Sequence, residues 1–385
     1  MNILRKYKAS IIRKLVPSFI RFALKDARSW LNEKLNLACL WRWTSVWLPQ
    51  PENSSHSIRF VGRKTRLELA TIVLVGENLA DYKQGRTNPS DRRAFVTEIP
   101  FPGALRVPTY LRTTIPLNRT IEEIMADYDD KLRRSLIKQR TLYRRQQVLD
   151  DDGIEYADLK MVRPFAWERH GSTANILPPD VFRRFAKEFG RLDFVMYGDE
   201  AVACMLGNEH IVEGKRHWLA NRCGYPETVF SDPKRLGETN SINHHLAIEW
   251  AIQNGFDYCD LGSCIARPDH GLLQFKRRRG AELNNKGLAG KSFFYVRLPK
   301  TGEAQFLWTT PLFAIERGKL TLHLGLPEGS GDDEFLSRYR QMGYGGITKV
   351  YLHCARTPDE SLLTRLNGIF KRQTDYSIVE IIHST

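Results

Sequence analysis

The stretch from Leu192 to Gly262 most constrains how this chain can fold. Apolar segments Leu192–Tyr197, Ala201–Leu206 and His217–Cys223 are separated by turns at Gly198-Asp199-Glu200 and around Glu213-Gly214. This pattern predicts an antiparallel meander of three strands. A break over 225–237 contains Pro226 and Pro233. A helix is then expected over Ser241–Asn254, with Ile242, Leu246, Ile248, Ala251 and Ile252 on its apolar face and Gly255 as its cap. Strand Phe256–Leu261 follows and runs into Gly262. Strands and helices interleaved in this way imply a mixed α/β fold, with largely antiparallel sheets flanked by helices.

The flanking sequence extends the pattern. Upstream, strands are expected at Ile58–Phe60, Leu67–Val75 and Phe95–Ile99, the second apolar enough to be buried, with a turn-rich polar stretch over Asn78–Arg93. Ile121–Asp130 is acidic, and residues 131–146 hold seven Lys/Arg and no acid. That polarity suits a helix dipole, with Leu132, Leu136, Gln139 and Tyr143 on one face. The helix reads either as a solvated surface helix or as a face for a phosphate-rich substrate or RNA. Val181–Phe189 is expected to be a helix closed by Gly190, Gly271–Gly280 helical, and Phe293–Leu298 a strand. The tail reads as strand Leu320–Leu324, helix Glu334–Met342, strand Thr348–Cys354, helix Asp359–Gln373 and strand Ser377–Ile382. The expected units are a basic arm (1–50), an N-terminal lobe (58–175), a second lobe (178–300) and a C-terminal α/β segment (310–385) completing the sheets.

Composition narrows the class. With 385 residues and 42% hydrophobic content, the chain can bury a core, so disorder does not describe it. Its 58 Lys/Arg against 44 Asp/Glu leave +14, which favours polyanionic partners. Ten of those basic residues (Arg5 to Arg42) lie in residues 1–48 against only Asp26 and Glu33, beside Trp30, Trp41, Trp43 and Trp47. Leu4, Tyr7, Ile11 and Leu15, then Phe19 and Ala23, have helical spacing. The arm either lies on anionic lipid or packs its apolar stripe on its own domain. Charges interrupt every candidate membrane span or secretory core. Six cysteines without a C-x-x-C pair give no zinc pattern and read as reduced thiols in the cytoplasm.

Four elements together resemble the FemAB-like acetyltransferase group of the GNAT superfamily. They are the turn and small-residue strand Gly198-Asp199-Glu200-Ala201-Val202-Ala203, the long helix Asn240–Gly255, the strand end Phe256-Asp257-Tyr258-Cys259-Asp260-Leu261-Gly262, and Gly271-Leu272-Leu273-Gln274-Phe275-Lys276-Arg277-Arg278-Arg279-Gly280. The likeness spans 181–298, a little under a third of the chain, and the basic segment 131–140 extends it. It implies two GNAT-like lobes and transfer of an acyl or aminoacyl group to an amine. The donor would be acyl-CoA or aminoacyl-tRNA, used as co-substrate with no permanently bound cofactor and no metal. The acceptor would be an amine of a peptidoglycan, envelope or polysaccharide precursor. The family's pyrophosphate loop is only partly matched: Lys234-Arg235-Leu236-Gly237-Glu238-Thr239 keeps the basic lead and first glycine but has Thr239 at a small-residue position.

Acyl transfer to an amine needs a proton acceptor, stabilisation of a developing oxyanion, and grip on charged substrates. Asp260, closing its strand, reads as base or amine anchor, or simply as a cap. Lys276 and the run Arg277–Arg279, with Arg279 a donor contact, suit phosphate anchoring or stabilisation of the tetrahedral oxyanion, or else form a solvated basic turn. Glu238 is a third catalytic candidate. Lys234, Arg235, Gly237 and Asn240 could hold the donor at a helix start, although Glu238 and Asn240 placed ahead of that helix would also serve as ordinary caps. Trp218, Tyr225 and His270 could meet the acceptor, with core packing the alternative for the aromatics. Of His244 and His245, one at most can reach a shared site, because adjacent helical residues point to different faces. The expected protein is a cytoplasmic acyltransferase; if the arm sits on the inner leaflet, a lipid-linked sugar or peptide acceptor follows. The alternatives are a tRNA-dependent peptide-bond-forming enzyme and a non-catalytic scaffold binding envelope precursors.

Overall fold

The computed structural model of the chain describes residues 42–49, 56–76, 93–286, 292–371 and 378–383. The amphipathic segments expected within 4–23 and the turn-rich stretch up to residue 92 lie outside those residues. Strands β1 (Trp43–Trp47) and β2 (Ser57–Arg63) precede α1 (Leu67–Leu74), and β3 (Arg93–Thr97), β4 (Leu105–Pro108) and β5 (Tyr110–Pro116) follow. Helices α2 (Ile121–Ala126) and α3 (Asp130–Gln139) lead to β6 (Tyr143–Gln147). A helical stretch comes next: α4 (Asp151–Tyr156), a π-helical segment over Ala157–Val162, α5 (Arg163–His170) and α6 (Pro179–Arg184). The meander is β7 (Arg191–Tyr197), β8 (Glu200–Val212) and β9 (Lys215–Gly224). Beyond it lie α7 (Glu227–Phe230), α8 (Pro233–Gln253), β10 (Tyr258–Ile265), α9 (Gly271–Arg277), β11 (Glu282–Asn284) and β12 (Phe293–Arg297). The tail holds α10 (Glu303–Thr309), β13 (Leu312–Glu316), β14 (Lys319–Leu326), α11 (Asp332–Tyr339), β15 (Lys349–Cys354), α12 (Glu360–Lys371) and β16 (Ile378–His383).

These strands form three mixed sheets, ordered β1-β2-β3-β12-β4, β11-β5-β10-β9-β8-β7-β6 and β13-β14-β15-β16. The sheets do not follow the chain in blocks: β5 and β6 join the second sheet, while β12 enters the first between β3 and β4. The tail, expected to complete the other sheets, instead builds the third by itself, with β14, β15 and β16 parallel.

Leu67–Val75, expected to be a strand, is helix α1. Ala70, Thr71 and Leu74 are buried at helical spacing, and the Thr71 hydroxyl donates to the Leu67 carbonyl one turn back. A short, wholly apolar run does not reveal its period. The pairing of β2 with β3 does: it is parallel, and parallel neighbours need a crossover, which α1 supplies. Helix 131–146 is likewise shorter than expected. α3 ends at Gln139, and Tyr143 opens β6, the edge strand paired with β7. α8 begins eight residues before the expected Ser241. Pro233 is its first residue, where a missing N–H costs nothing, and Asp232 caps it.

Alternation along the meander feeds two cores on opposite faces of the second sheet. Val195, Ala203, Trp218 and Cys259 meet Ile248, Ala251 and Phe256 beneath α8. Leu192, Cys204 and Leu206 meet Ile154, Met161 and Phe182 of the α4–α6 stretch. The first sheet packs Phe60, Val96 and Phe294 on α1 and α10, and the third packs Leu324 and Val350 on Phe335 and Leu362. The five described cysteines are free.

Candidate active site

β9 and β10 pair in parallel for only three residues, His217–Leu219 against Tyr258–Asp260. Beyond them β9 stays with β8 as far as Gly224, while β10 continues along β5. The two strands therefore part, and the register of β10 shifts between Asp260 and Ser263. Gly262 sits in that irregularity at φ +79, a conformation natural to glycine.

Side chains from α8 and α9 converge on this parting. Lys276 is 5% exposed and its Nζ donates to the Gly262 carbonyl at 3.0 Å. Arg279 is 4% exposed; it donates to the Phe275 carbonyl (2.9 Å) and to Ser241 Oγ (3.2 Å), and its guanidinium lies 3.5 Å from the Phe275 ring centre. Burial draws the Arg279 pKa down to about 10. Among the described residues neither cation is paired with a carboxylate. Tyr225 donates to Asn240 Oδ1 (2.8 Å), and Asn243 donates to the Cys204 carbonyl (3.1 Å). His244 Nδ1 lies 2.9 Å from the Asn240 carbonyl, to which it donates, leaving Nε2 4.0 Å from Cys223 Sγ. Burial, and then the Arg279 charge, lower the His244 pKa to about 3, so the ring is neutral. Burial pushes the Cys223 thiol up to about 12, so it is not a thiolate nucleophile.

Asp260 is fully buried. Its Oδ1 accepts the Gly262 N–H at 2.7 Å; Oδ2 accepts from Arg112 and lies 3.3 Å from His210 Nε2. Burial raises its pKa, but hydrogen bonds from His210, Arg112 and the Gly262 N–H outweigh that, and the net shift is downward. Asp260 is therefore a committed carboxylate with its oxygens engaged, better suited to fixing the strand end than to taking a proton. It and Lys276 meet on one residue: the Gly262 N–H bonds the acid and the Gly262 carbonyl accepts from the amine. His210, His217 and Asp260 place donor atoms within 4.8 Å of one another. The Arg112 guanidinium already supplies positive charge there, bonding Asp260 and standing against His210, so the cluster reads as an ion-pair network rather than a metal centre.

The remaining expected residues divide. Arg279, Tyr225 and Asn240 lie in the Lys276 cluster, though Tyr225 is too buried to stack on a sugar. His270 precedes α9, half-buried, with Nδ1 unpartnered, close enough for Lys276 to help lower its pKa after burial. Trp218, expected at an acceptor, is a core side chain, 2% exposed against Trp250 and Phe256. Glu238 and Asn240 lie within α8 rather than ahead of it, and the capping role falls to Asp232. Its carboxylate occupies the N–H groups of Lys234 and Arg235, which removes them from a phosphate cradle. Arg235 also pairs with Glu200, and Glu238 stands near Tyr143, whose pKa burial and then that charge raise. Gly237 is open, with nothing where a side chain would begin.

Sequence reasoning missed Arg112, because β5 was not foreseen. It also missed His210 and His217, although counting outward from the Glu213-Gly214 turn pairs them directly.

No protein-family model matches the chain, and no curated protein matches it. Among solved structures it is similar to FemX (10% identity, 68% of this chain and 90% of that one, TM-score 0.37). It is also similar to L-PGS from Bacillus licheniformis (12%, 66% and 83%, TM-score 0.33). A third likeness is to a GCN5-related N-acetyltransferase from Anabaena variabilis (8%, 78% and 77%, TM-score 0.27). Likenesses this distant bear on neither substrate nor residue roles. Among the described residues no helix is long and apolar enough to cross a membrane.

Proposed function

We propose that the protein is an N-acyltransferase that moves an acyl group from acyl-CoA to the amine of a cell-envelope or polysaccharide precursor. One observation carries this reading: Lys276 and Arg279, two buried cations without carboxylate partners among the described residues, stand where β9 and β10 part. An uncompensated buried cation is costly unless an anion visits it. A carbonyl oxygen gaining charge as an amine attacks is such an anion, and one well-placed donor is worth about 3 kcal/mol of barrier. The sequence resemblance to the FemAB-like group supports the same reading.

In this mechanism the amine attacks the acyl carbon directly. A C–N bond forms, the bond to the donor's sulfur or oxygen breaks, and the leaving group takes the proton the amine gives up. Lys276 and Arg279 face the developing oxyanion. Cys223, a thiol with a raised pKa, forms no covalent intermediate, and Asp260 anchors Gly262 and, through it, the carbonyl that orients Lys276. No cofactor is held permanently. The work is done in the cytoplasm at the inner membrane face, where the basic residues of 1–48 suit anionic lipid and a lipid-linked sugar or peptide acceptor.

The test is turnover with a panel of CoA esters and aminoacyl-tRNAs on amino-sugar and peptide acceptors. Lys276→Ala is expected to lower turnover well over about tenfold, with circular dichroism unchanged. No transfer from any donor by the parent protein sinks the proposal; full turnover by the variant removes Lys276 from the site.

A further inference from the structure

A groove of about 1400 Å³ separates the second sheet from the tail unit. One wall is the α2–α3 junction with the turn after α9; the other is α11, residues 345–348 and α12. The acids along it are engaged. Asp127 pairs with Arg119 (2.6 Å), Asp130 pairs with Arg133 (2.7 Å), Asp129 caps α3 by accepting the Lys131 N–H (3.1 Å), and Glu282 is also partnered. Of the arginines on the walls, Arg119 is taken by Asp127 and Arg365 by Asp333 (2.6 Å), but the other three are not matched in this way. Arg278 and Arg340 are exposed, come from opposite walls and have no carboxylate partner among the described residues. Arg277 has only Gln274 Oε1 at 3.1 Å; burial lowers its pKa most, Tyr344 opposes that, and the neighbouring Arg278 charge lowers it further against a smaller favourable effect of Asp129.

Two walls each contributing unpaired guanidinium, across a space far larger than a single carboxylate fills, fit a ligand with several separated anionic groups. Guanidinium also matches phosphate oxygens bidentately. α9 ties this groove to the site above, since Lys276 turns to Gly262 while the next two residues line the groove.

We propose that this groove binds the phosphate groups of a nucleotide-bearing ligand, with Arg277, Arg278 and Arg340 as its contacts. That this ligand is the acyl donor rests on the transferase reading; the binding itself does not.

Calorimetry on the intact protein tests it with three probes: inorganic pyrophosphate, coenzyme A, and a short single-stranded RNA ending in adenosine. At least one probe is expected to bind, and Arg278→Gln with Arg340→Gln is expected to weaken it at least about tenfold while the melting temperature holds. Lys276→Ala should bind the same probe as the parent protein does. A preference for coenzyme A with shallow salt dependence identifies a small thioester ligand, and a preference for RNA with a steep salt slope identifies a nucleic-acid handle. Absence of binding by all three probes, or undiminished binding by the double variant, overturns the groove assignment and leaves the Lys276 assay standing. Normal binding with no transfer from any donor by the parent protein overturns the transferase reading and leaves the groove.

Discussion

Gly262 holds an acid by its N–H and an amine by its carbonyl, so a change there reaches both. At φ +79 a side chain is strained, and Gly262→Ala should cost about 1–2 kcal/mol and misplace Lys276. Reduced activity together with a lower melting temperature is the expected result; loss of neither would detach Gly262 from the site. Asp260→Ala leaves Arg112 without its carboxylate and should destabilise by about 3–5 kcal/mol. Arg112→Ala should cost a similar amount, and the double variant clearly less than the sum, in urea titrations. Because the folded pKa of Asp260 is depressed, its stabilisation is present above the unfolded carboxyl value and is lost as the pH falls through the folded one. Lys276 and Arg279 were legible in sequence as a basic turn behind a glycine. Their burial was not, since nothing local to that turn shows how α8 and α9 close over it.

The meander was readable because its turns are glycine-marked and its strands alternate. Leu67–Val75 was not, because a run this apolar fits either period and only the parallel β2–β3 pair decides it. At α8 the reading failed over one residue: Pro233 starts the helix rather than interrupting the chain ahead of it. The Asp232 carboxylate accepts from Lys234 N (2.8 Å) and Arg235 N (3.2 Å). Asp232→Ala should therefore cost about 1 kcal/mol, seen as a lower urea midpoint at unchanged slope. Restoring stability with Ser, but not with Leu, would confirm a cap. Equal stability of the Ala, Ser and Leu variants would show that the first turn needs none.

Across the described residues, histidines held neutral by their surroundings link stability to pH, His56, His244 and His323 most strongly. Burial lowers the pKa of His56 to about 4, and of His244 and His323 to about 3, with Arg279 adding at His244 and His353 at His323. Each lies below the ordinary histidine value of 6.5, so the unfolded chain binds more protons between the two values and stability falls as the pH drops below about 6.5. The loss approaches about 1.4 kcal/mol per pH unit for each ring. The melting temperature should fall between pH 7 and pH 5, and His323→Gln should flatten the slope. A flat profile in the parent protein would contradict neutral burial of these rings.

Sheet membership at this scale was not legible, because pairing between distant segments leaves no periodic trace in sequence. β12 is the extreme case. The first sheet needs a strand from residues 293–297 in its interior, between β3 and β4. A ribosome has to deliver nearly three hundred residues before strands made at the outset find their neighbour, and until then two unsatisfied edges wait. Nascent chains stopped short of Phe293 should accordingly need chaperone shelter and precipitate without it.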